Sequence, residues 1–130
     1  MRKVIRTSDA PHPLGVYSQG IVSQGLVFVA GQIAINPATG EIEPGDIKSE
    51  TRRVLRNMEG ILRASGSTLR DAVKLGVFIS DLKDFTAMNE VFKEFFPDNP
   101  PARTTVQAAL PRNLKIEIDC IAVQGKKRKR

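Results

Sequence analysis

Two charged residues, Arg103 and Glu117, stand inside apolar segments of the C-terminal third of the chain. Pro100 and Pro101 keep the entry to the first segment extended, and Thr104 to Val106 favour a strand, so Arg103 is predicted to sit on a rigid scaffold. A guanidinium held in this way suits a carboxylate, which it binds through two parallel hydrogen bonds. The residues leave open an interfacial ion pair or a solvated strand edge as the alternative.

The chain offers few other groups for chemistry, because it contains one cysteine and one histidine. These are too few for an internal disulfide or a Cys/His metal cluster. Cys120 alternates with Ile118 and Ala122, which predicts a small core residue rather than a nucleophile. His12, between two prolines, is predicted to be a loop residue. We expect no metal and no Cys/His or Ser/His triad, unless folding brings in residues distant in sequence.

Two segments have the apolar spacing of amphipathic helices. The first runs from about Ile47 to Ala64, and Gly66 is placed to end it. The second begins near Asp84 and is stopped by Pro97. Its stripe of phenylalanine and methionine side chains is interpreted as core rather than as a cofactor site.

Six further segments are predicted to be strands: Lys3 to Ile5, Gln19 to Ser23, Leu26 to Ala30, Val73 to Ile79, Ala102 to Gln107 and Lys115 to Val123. Ser23-Gln24-Gly25 predicts a hairpin between the second and third of them. The helices then form βαβ-like crossovers between strands. This order predicts an α+β fold, in which a mixed six-stranded sheet carries two helices on one face.

Several of these strands are apolar on both sides. Phe28 alternates with Val27 and Val29, and Ile121 alternates with Cys120. Two helices cover only one face of a sheet, and a large apolar patch on a soluble monomer is unusual. The alternation therefore predicts that further copies of the chain cover the other face, although it does not set their number.

The length of 130 residues fits a single domain, expected at residues 1–125, followed by the basic tail Lys126 to Arg130. The tail carries five of the net +6 charges, which leaves 6 − 5 = +1 for the rest. Such a run is more often solvated than bound to nucleic acid, but phosphate binding is the rival interpretation. Since no apolar segment follows the basic N-terminus and none approaches membrane-spanning length, we expect a soluble cytoplasmic protein.

Five motifs, in order, resemble the Rid (YjgF) family: Tyr17-Ser18-Gln19-Gly20, Leu26 to Ile33, Asn36 to Glu41, Pro101-Ala102-Arg103 and Ile116-Glu117-Ile118. The likeness runs from about Val4 to Val123. It implies a chorismate-mutase-like fold, assembled as a homotrimer with clefts between subunits. The activity it implies is cofactor-free hydrolysis of reactive enamines and imines, such as 2-aminoacrylate, 2-iminopropanoate and 2-iminobutanoate, to a 2-keto acid and ammonia.

The resemblance also assigns roles to individual residues. Arg103 matches the arginine that binds the substrate carboxylate, and Glu117 matches the residue that orients or activates the attacking water. The further substrate contacts that it implies are Tyr17, Gly31, Asn89 and Thr105. Taken singly, three of them also have a structural interpretation: Tyr17 as a packing residue, Gly31 as a strand-end turn and Asn89 as an exposed helical residue.

The sequence departs from the commonest family pattern at four positions. Val16 stands in place of a proline, Ala30 of a serine, Thr105 of a cysteine and Gln107 of a glutamate. These changes put substrate preference in question and leave Arg103 untouched. Some Rid relatives have been called translation inhibitors or endoribonucleases, so an RNA-directed role is the main alternative. A chaperone-like or ligand-sensing protein with the same cleft but no turnover is a third.

Overall fold

The computed structural model describes residues 1–125, and the predicted tail at 126–130 lies outside the described residues. Its main elements are β1 (Lys3–Ile5), β2 (Gly20–Ser23), β3 (Leu26–Gln32), α1 (Ile47–Ala64), β4 (Ala72–Ile79), α2 (Phe85–Phe95), β5 (Ala102–Gln107) and β6 (Ile116–Val123). The strands form one sheet in the order β1-β2-β3-β6-β4-β5. Within the described residues, only β4 and β5 pair in parallel. The predicted α+β fold with a mixed six-stranded sheet is confirmed.

The predicted hairpin between β2 and β3 is also confirmed. Its two-residue loop, Gln24 and Gly25, has φ angles of 54° and 75°. Positive φ at both positions is what a type I′ turn requires, and this turn matches the twist of the flanking strands.

The strand β3 extends two residues beyond its predicted end because it contains a β-bulge. Val29 pairs with Cys120 and Gln32 pairs with Ile118, so that Ala30 and Gly31 together stand opposite one residue of β6. A bulge inserts an extra residue into one strand and redirects the side chains near it. Regular alternation in the sequence gives no sign of this insertion. The other strand ends differ from prediction by at most one residue.

Both helices have the predicted starts and stops. The Asp46 side chain caps α1 by accepting a hydrogen bond from the Ser49 N–H at 2.8 Å. Gly66 follows the end of α1 with φ of 77°, as its predicted role requires. The second helix, α2, ends at Phe95, two residues before Pro97. None of the helices within residues 1–125 is long and apolar enough to cross a membrane.

The helices lie together on one face of the sheet. Helix α1 contacts β3, β6 and α2, and its apolar side is fully buried at Val54, Leu55, Met58, Ile61 and Leu62. Helix α2 adds Met88, Val91 and Phe92 to the same core. An exposed ion pair also joins the helices, with Arg52 donating to Glu94 at 2.7 and 3.0 Å. Such surface pairs contribute little to stability, so the shared core holds α2 in place.

The opposite face of the sheet, called the open face below, is covered by no element within residues 1–125. It carries Phe28, Val106 and Val123, which are 40%, 42% and 44% exposed. Their neighbours Val27, Val29, Cys120 and Ala122 are buried under the helices. Strands that are apolar on both sides are thus confirmed, and the copy expected to cover the open face stays a prediction.

Candidate active site

Arg103 lies on the helix face of the sheet, at its edge. It stands beside the buried Leu75 in the parallel pairing of β4 with β5. Its Nη1 donates a hydrogen bond to Asn89 Oδ1 at 2.8 Å. Its Cζ lies 4.9 Å from the ring centroid of Phe92 and 5.5 Å from that of Phe85. These contacts fix the plane of the guanidinium and employ only one of its five N–H donors in a hydrogen bond.

The three partners of Arg103 come from a single stripe of α2. Residues 85, 89 and 92 are spaced by four and three, so they lie on the same side of the helix. The sequence-based interpretation of this stripe as core holds for Phe92, which is 7% exposed. It missed the second role of Phe85 and Phe92 as supports for the guanidinium. That role depends on how α2 packs against β5, and the sequence pattern does not specify this packing.

The alternative for Arg103, an ion pair across an interface with another chain, stays open. None of the ion pairs among residues 1–125 includes Arg103. Burial lowers the pKa of its guanidinium from the ordinary value, but arginine stays charged in proteins. The group is therefore a half-buried cation with hydrogen-bonding capacity that no carboxylate of residues 1–125 uses.

A cleft of about 660 Å³ opens between α2 and β5 beside Arg103. Its walls are mainly apolar and include Leu75, Phe85, Phe92, Phe96, Pro100 and Pro101. Asn89 and Arg103 supply polar groups to the same cleft. An apolar pocket with a few fixed polar groups is the usual form of a small-ligand site.

Thr105 lies on the same strand face as Arg103, beside Val77. Its Oγ1 is buried and has no hydrogen-bond partner among the described residues. An unsatisfied buried hydroxyl costs roughly 1–3 kcal/mol, so we expect a polar partner outside the described residues, which is a water molecule, a ligand or another chain. We call Arg103, Asn89 and Thr105 the arginine half-site.

Glu117 lies on the open face. It pairs with Phe78 of β4, while its neighbours Ile116 and Ile118 point into the core and are fully buried. Its carboxyl group covers Gly31. A Cβ at that position would come within 3.0 Å of the Glu117 carboxyl carbon and closer still to Oε2. Gly31 is therefore required by space rather than by backbone angle.

The environment of Glu117 favours a proton on its carboxyl group. Burial raises the pKa of Glu117, and the negative charge of Asp119 raises it further. A carboxyl group with a raised pKa is a stronger base when ionised, and such shifts are common at catalytic sites. Asp119 was not predicted to be a site residue, although its i, i+2 spacing from Glu117 on a predicted strand placed both on one face.

Tyr17 and Gly31 line the same small cavity, of about 20 Å³. The Tyr17 side chain is half exposed, and its hydroxyl accepts a hydrogen bond from the Leu14 N–H at 3.1 Å. His12 is an exposed loop residue, as predicted, and it lines this cavity too. Its proximity to Tyr17 was not evident from the sequence. We call Glu117, Gly31 and Tyr17 the glutamate half-site.

Gln19 holds the segment that leads to Tyr17. Its side chain is 4% exposed. Oε1 accepts a hydrogen bond from the Thr7 N–H at 2.7 Å, and Nε2 donates to the carbonyl groups of Ala10 and Pro11 at 3.2 and 2.8 Å. These bonds explain why a glutamine follows Tyr17 so closely: it anchors the loop to the sheet edge.

The structure therefore gathers the six predicted site residues into two groups and does not bring the groups together in one protomer. Arg103 lies on the helix face, with Asn89 and Thr105. Glu117 lies on the open face, with Gly31 and Tyr17. A reaction that needs both charged groups requires residues from both faces of the sheet. The chemical roles of all six stay predictions.

Cys120 is confirmed as a core residue. It is 2% exposed, and burial raises the pKa of its thiol to about 12, so the reactive thiolate is scarce at neutral pH. No group of three or more His, Cys, Asp or Glu side chains within residues 1–125 has the arrangement of a metal site.

Comparison with known proteins places the chain in a family. The family model described as endoribonuclease L-PSP matches residues 7–124. The chain belongs to this family, which is the YjgF/Rid family that its motifs predict.

Individual relatives are similar over almost their whole length. A RutC family protein of Pyrococcus horikoshii is 49% identical over 123 residues, which cover 94% of this chain and 98% of that protein. The 2-iminobutanoate/2-iminopropanoate deaminase of Rattus norvegicus is 43% identical over 126 residues, covering 96% and 92%. The crystal structure of E. coli TdcF with bound serine matches with a TM-score of 0.88 and 43% identity, covering 95% and 99%. The family and the fold are both confirmed by these similarities.

Proposed function

We propose that this protein is a cytoplasmic, cofactor-free deaminase that hydrolyses 2-imino and 2-enamino acids to 2-keto acids and ammonia. The substrates expected are 2-aminoacrylate, 2-iminopropanoate and 2-iminobutanoate. The observation that carries the proposal is Arg103, fixed by Asn89 and two aromatic rings at the mouth of an apolar cleft. The deaminase relative in rat and the serine bound to E. coli TdcF support a substrate that carries a carboxylate next to a nitrogen-bearing carbon.

Arg103 binds the carboxylate of the substrate. Its remaining N–H donors form a fork that matches two carboxylate oxygens, and the aromatic supports keep this fork from turning. The hydroxyl of Thr105, on the same strand face, gives the bound substrate a further polar contact. Fixing the carboxylate also fixes the adjacent C=N carbon, so that a water molecule approaches it from one direction.

Glu117 handles the protons. In its ionised form it accepts a proton from the water molecule as the water oxygen bonds to the C=N carbon and the C=N double bond becomes a C–N single bond. It returns this proton to the nitrogen, which gives a carbinolamine. It then accepts the remaining proton of the new hydroxyl group as the C=O bond forms and gives it to the nitrogen, so that the C–N bond breaks and ammonia leaves. Gly31, which has no side chain, leaves the space that the Glu117 carboxyl group occupies.

The two half-sites form one active site only if two copies of the chain meet. We propose a homotrimer, in which the arginine half-site of one subunit faces the glutamate half-site of the next. The apolar residues of the open face support association, since water otherwise contacts Phe28, Val106 and Val123. A head-to-tail contact of this kind closes into a ring when the rotation between subunits divides a full turn, and the number three comes from the family resemblance.

An RNA-directed function is the second candidate, because the family model is described as an endoribonuclease and the chain has a net charge of +6. Five of these charges lie in the tail at 126–130, outside the described residues. The deaminase is favoured by an arginine oriented within a small, apolar cleft, which suits a small carboxylate better than a phosphate backbone.

A coupled assay tests the proposal. A dehydratase acting on serine or threonine generates 2-aminoacrylate or 2-iminobutanoate in the cuvette, and keto acid release is followed with and without the protein. We expect wild type and the exposed-site control Arg6→Ala to accelerate the release of keto acid. Arg103→Ala should not accelerate it. No acceleration by wild type, together with cleavage of a mixed-sequence RNA, would replace the deaminase by the RNA-directed function.

A further inference from the structure

A second acidic residue, Asp119, lies beside Glu117 on the open face. The two are separated by one residue of β6, and alternate residues of a strand share a face. In the antiparallel pairing with β4, Asp119 stands opposite Gly76, and Glu117 stands opposite Phe78. The strand β6 lies between β3 and β4, so both carboxyl groups are located in the middle of the sheet.

Each carboxyl group occupies a space left by a glycine, on opposite sides of β6. Asp119 Oδ1 accepts a hydrogen bond from the Gly76 N–H at 3.0 Å, and a Cβ at Gly76 would come within 3.1 Å of the Asp119 Cγ. Glu117 covers Gly31 of β3 in the same way. The backbone bond fixes Asp119, whereas Glu117 has no hydrogen-bond partner of this kind among the described residues.

Among the described residues, no cation contacts the carboxyl group of Asp119. On β4, Lys74 shares the open face, but its Nζ donates to Thr104 Oγ1 at 2.7 Å, on the side away from β6. On β3 the nearest open-face residues, Phe28 and Ala30, are uncharged. Lys115 precedes β6, and none of the ion pairs within residues 1–125 includes it, Glu117 or Asp119.

We infer that Asp119 is a positioning residue of the proposed deaminase, whose anchored negative charge makes Glu117 a stronger proton acceptor. The inference rests on the proposed function for its catalytic meaning. An ionised Asp119 repels an ionised Glu117, so protonation of Glu117 relieves the repulsion. The raised pKa of Glu117, to which Asp119 contributes, agrees with this geometry. The hydrogen bond to Gly76 keeps the charge at a constant distance throughout the proton transfers.

Two readouts on Asp119→Asn test the inference. Asparagine keeps the shape and an oxygen that accepts the Gly76 hydrogen bond, but it removes the charge. The protonation of Glu117 is followed by NMR of ¹³C-labelled glutamate carboxyl groups, assigned with Glu117→Gln, and kcat is measured against pH in the coupled assay. We expect the Glu117 midpoint and the acidic limb of the kcat profile both to move to lower pH. Asp119→Glu, which retains the charge, should keep the wild-type midpoint, and so should the exposed-site control Asp98→Asn.

An unchanged Glu117 midpoint in a folded Asp119→Asn protein would overturn the inference, whether or not the protein hydrolyses imines. A midpoint that moves equally in Asp98→Asn would also overturn it, because the effect would then reflect overall charge. A midpoint that moves only in Asp119→Asn, in a protein without imine hydrolysis, would instead reject the proposed function and leave the charge coupling standing.

Discussion

The position of Arg103 on β5 was predictable, but its orientation depends on neighbours that are distant in sequence. Pro100, Pro101 and the following β-branched residues predict the strand. The rings of Phe85 and Phe92 and the amide of Asn89 decide where the guanidinium points. In the proposed function, Arg103 therefore binds the substrate with a fork that is already oriented before the substrate arrives.

Replacing Arg103 should remove most of the substrate binding. We expect Arg103→Ala to lower kcat/KM by about two to four orders of magnitude, which corresponds to roughly 3–5 kcal/mol for a lost charge-assisted pair. Arg103→Lys should restore only part, because an ammonium group cannot form the planar fork. The coupled assay measures kcat/KM, and circular dichroism checks folding. Near-normal turnover by folded Arg103→Ala would contradict the assigned role.

Glu117 should affect the chemical step more than binding. Glu117→Gln retains the shape but cannot accept a proton, so kcat should fall about a hundredfold or more with little change in the affinity for a carboxylate ligand. In wild type, kcat should fall as the pH drops through the raised pKa of Glu117, since the protonated group is no base. Loss of affinity with unchanged kcat would show that Glu117 binds rather than reacts.

The same residue makes a prediction about stability. The folded-state pKa of Glu117 is raised above the ordinary value of 4.5. The folded protein therefore binds its proton more tightly than the unfolded chain, and the free energy of unfolding falls as the pH rises from about 4.5 through the raised value. Glu117→Gln removes this cost. We expect it to be at least as stable as wild type in urea at neutral pH and to lose that advantage below pH 4.5; a less stable variant at neutral pH would contradict the electrostatic account.

Sequence patterns alone therefore located the two charged residues but not their surroundings. Arg103 and Glu117 were recognisable as charges on predicted strands, and family resemblance added Asn89, Gly31 and Tyr17. The aromatic supports and Asp119 were missed, because periodicity shows that side chains share a face without showing which element that face meets.

Among the elements, the loop between β1 and β2 is held by hydrogen bonds from the side chain of Gln19. The side chain provides hydrogen-bond partners for the backbone groups of Thr7, Ala10 and Pro11. The segment that it anchors leads directly to Tyr17. All six strands and both helices were predicted within two residues of their observed ends. The bulge at Ala30 and Gly31 was not, and neither was the location of β6 between β3 and β4, because several apolar strands satisfy the same alternation.

Removing the Gln19 side chain should affect both stability and turnover. Gln19→Ala leaves buried backbone groups without partners, so the free energy of unfolding should fall by about 1–3 kcal/mol. Turnover should also fall, because Tyr17 loses its anchored loop. Urea denaturation and the coupled assay measure the two effects. The control Glu41→Ala, at an exposed side chain that makes no hydrogen bond or ion pair among the described residues, should stay within about 0.5 kcal/mol of wild type. Equal stability of the two variants would rule out the anchoring role.

For the molecule as a whole, the main question is what covers the apolar open face of the sheet. Its apolar residues were visible in the sequence as strands hydrophobic on both sides, and the structure leaves them uncovered within residues 1–125. The number of copies that meet there does not follow from one chain, because the alternation specifies a surface and not a symmetry.

The protein should be a homo-oligomer, and a trimer should have three times the chain mass of 14.3 kDa. Light scattering at micromolar concentration measures this. Phe28→Lys places a charge on the open face and should dissociate the oligomer and abolish turnover. Leu82→Lys changes an apolar residue that is 52% exposed but lies outside the strands of the open face, and it should leave both intact. A wild-type mass of one chain would refute the assembly.

Subunit complementation tests most directly whether the active site lies between two copies. Arg103→Ala and Glu117→Gln chains are co-expressed with different tags and purified through both tags, so that each trimer contains both variants. Any such ring contains one interface that joins an intact Arg103 to an intact Glu117, so the mixture should regain about one third of wild-type kcat, while each variant alone stays inactive. Mixed trimers no more active than their parents would contradict an active site shared between the two faces of neighbouring sheets.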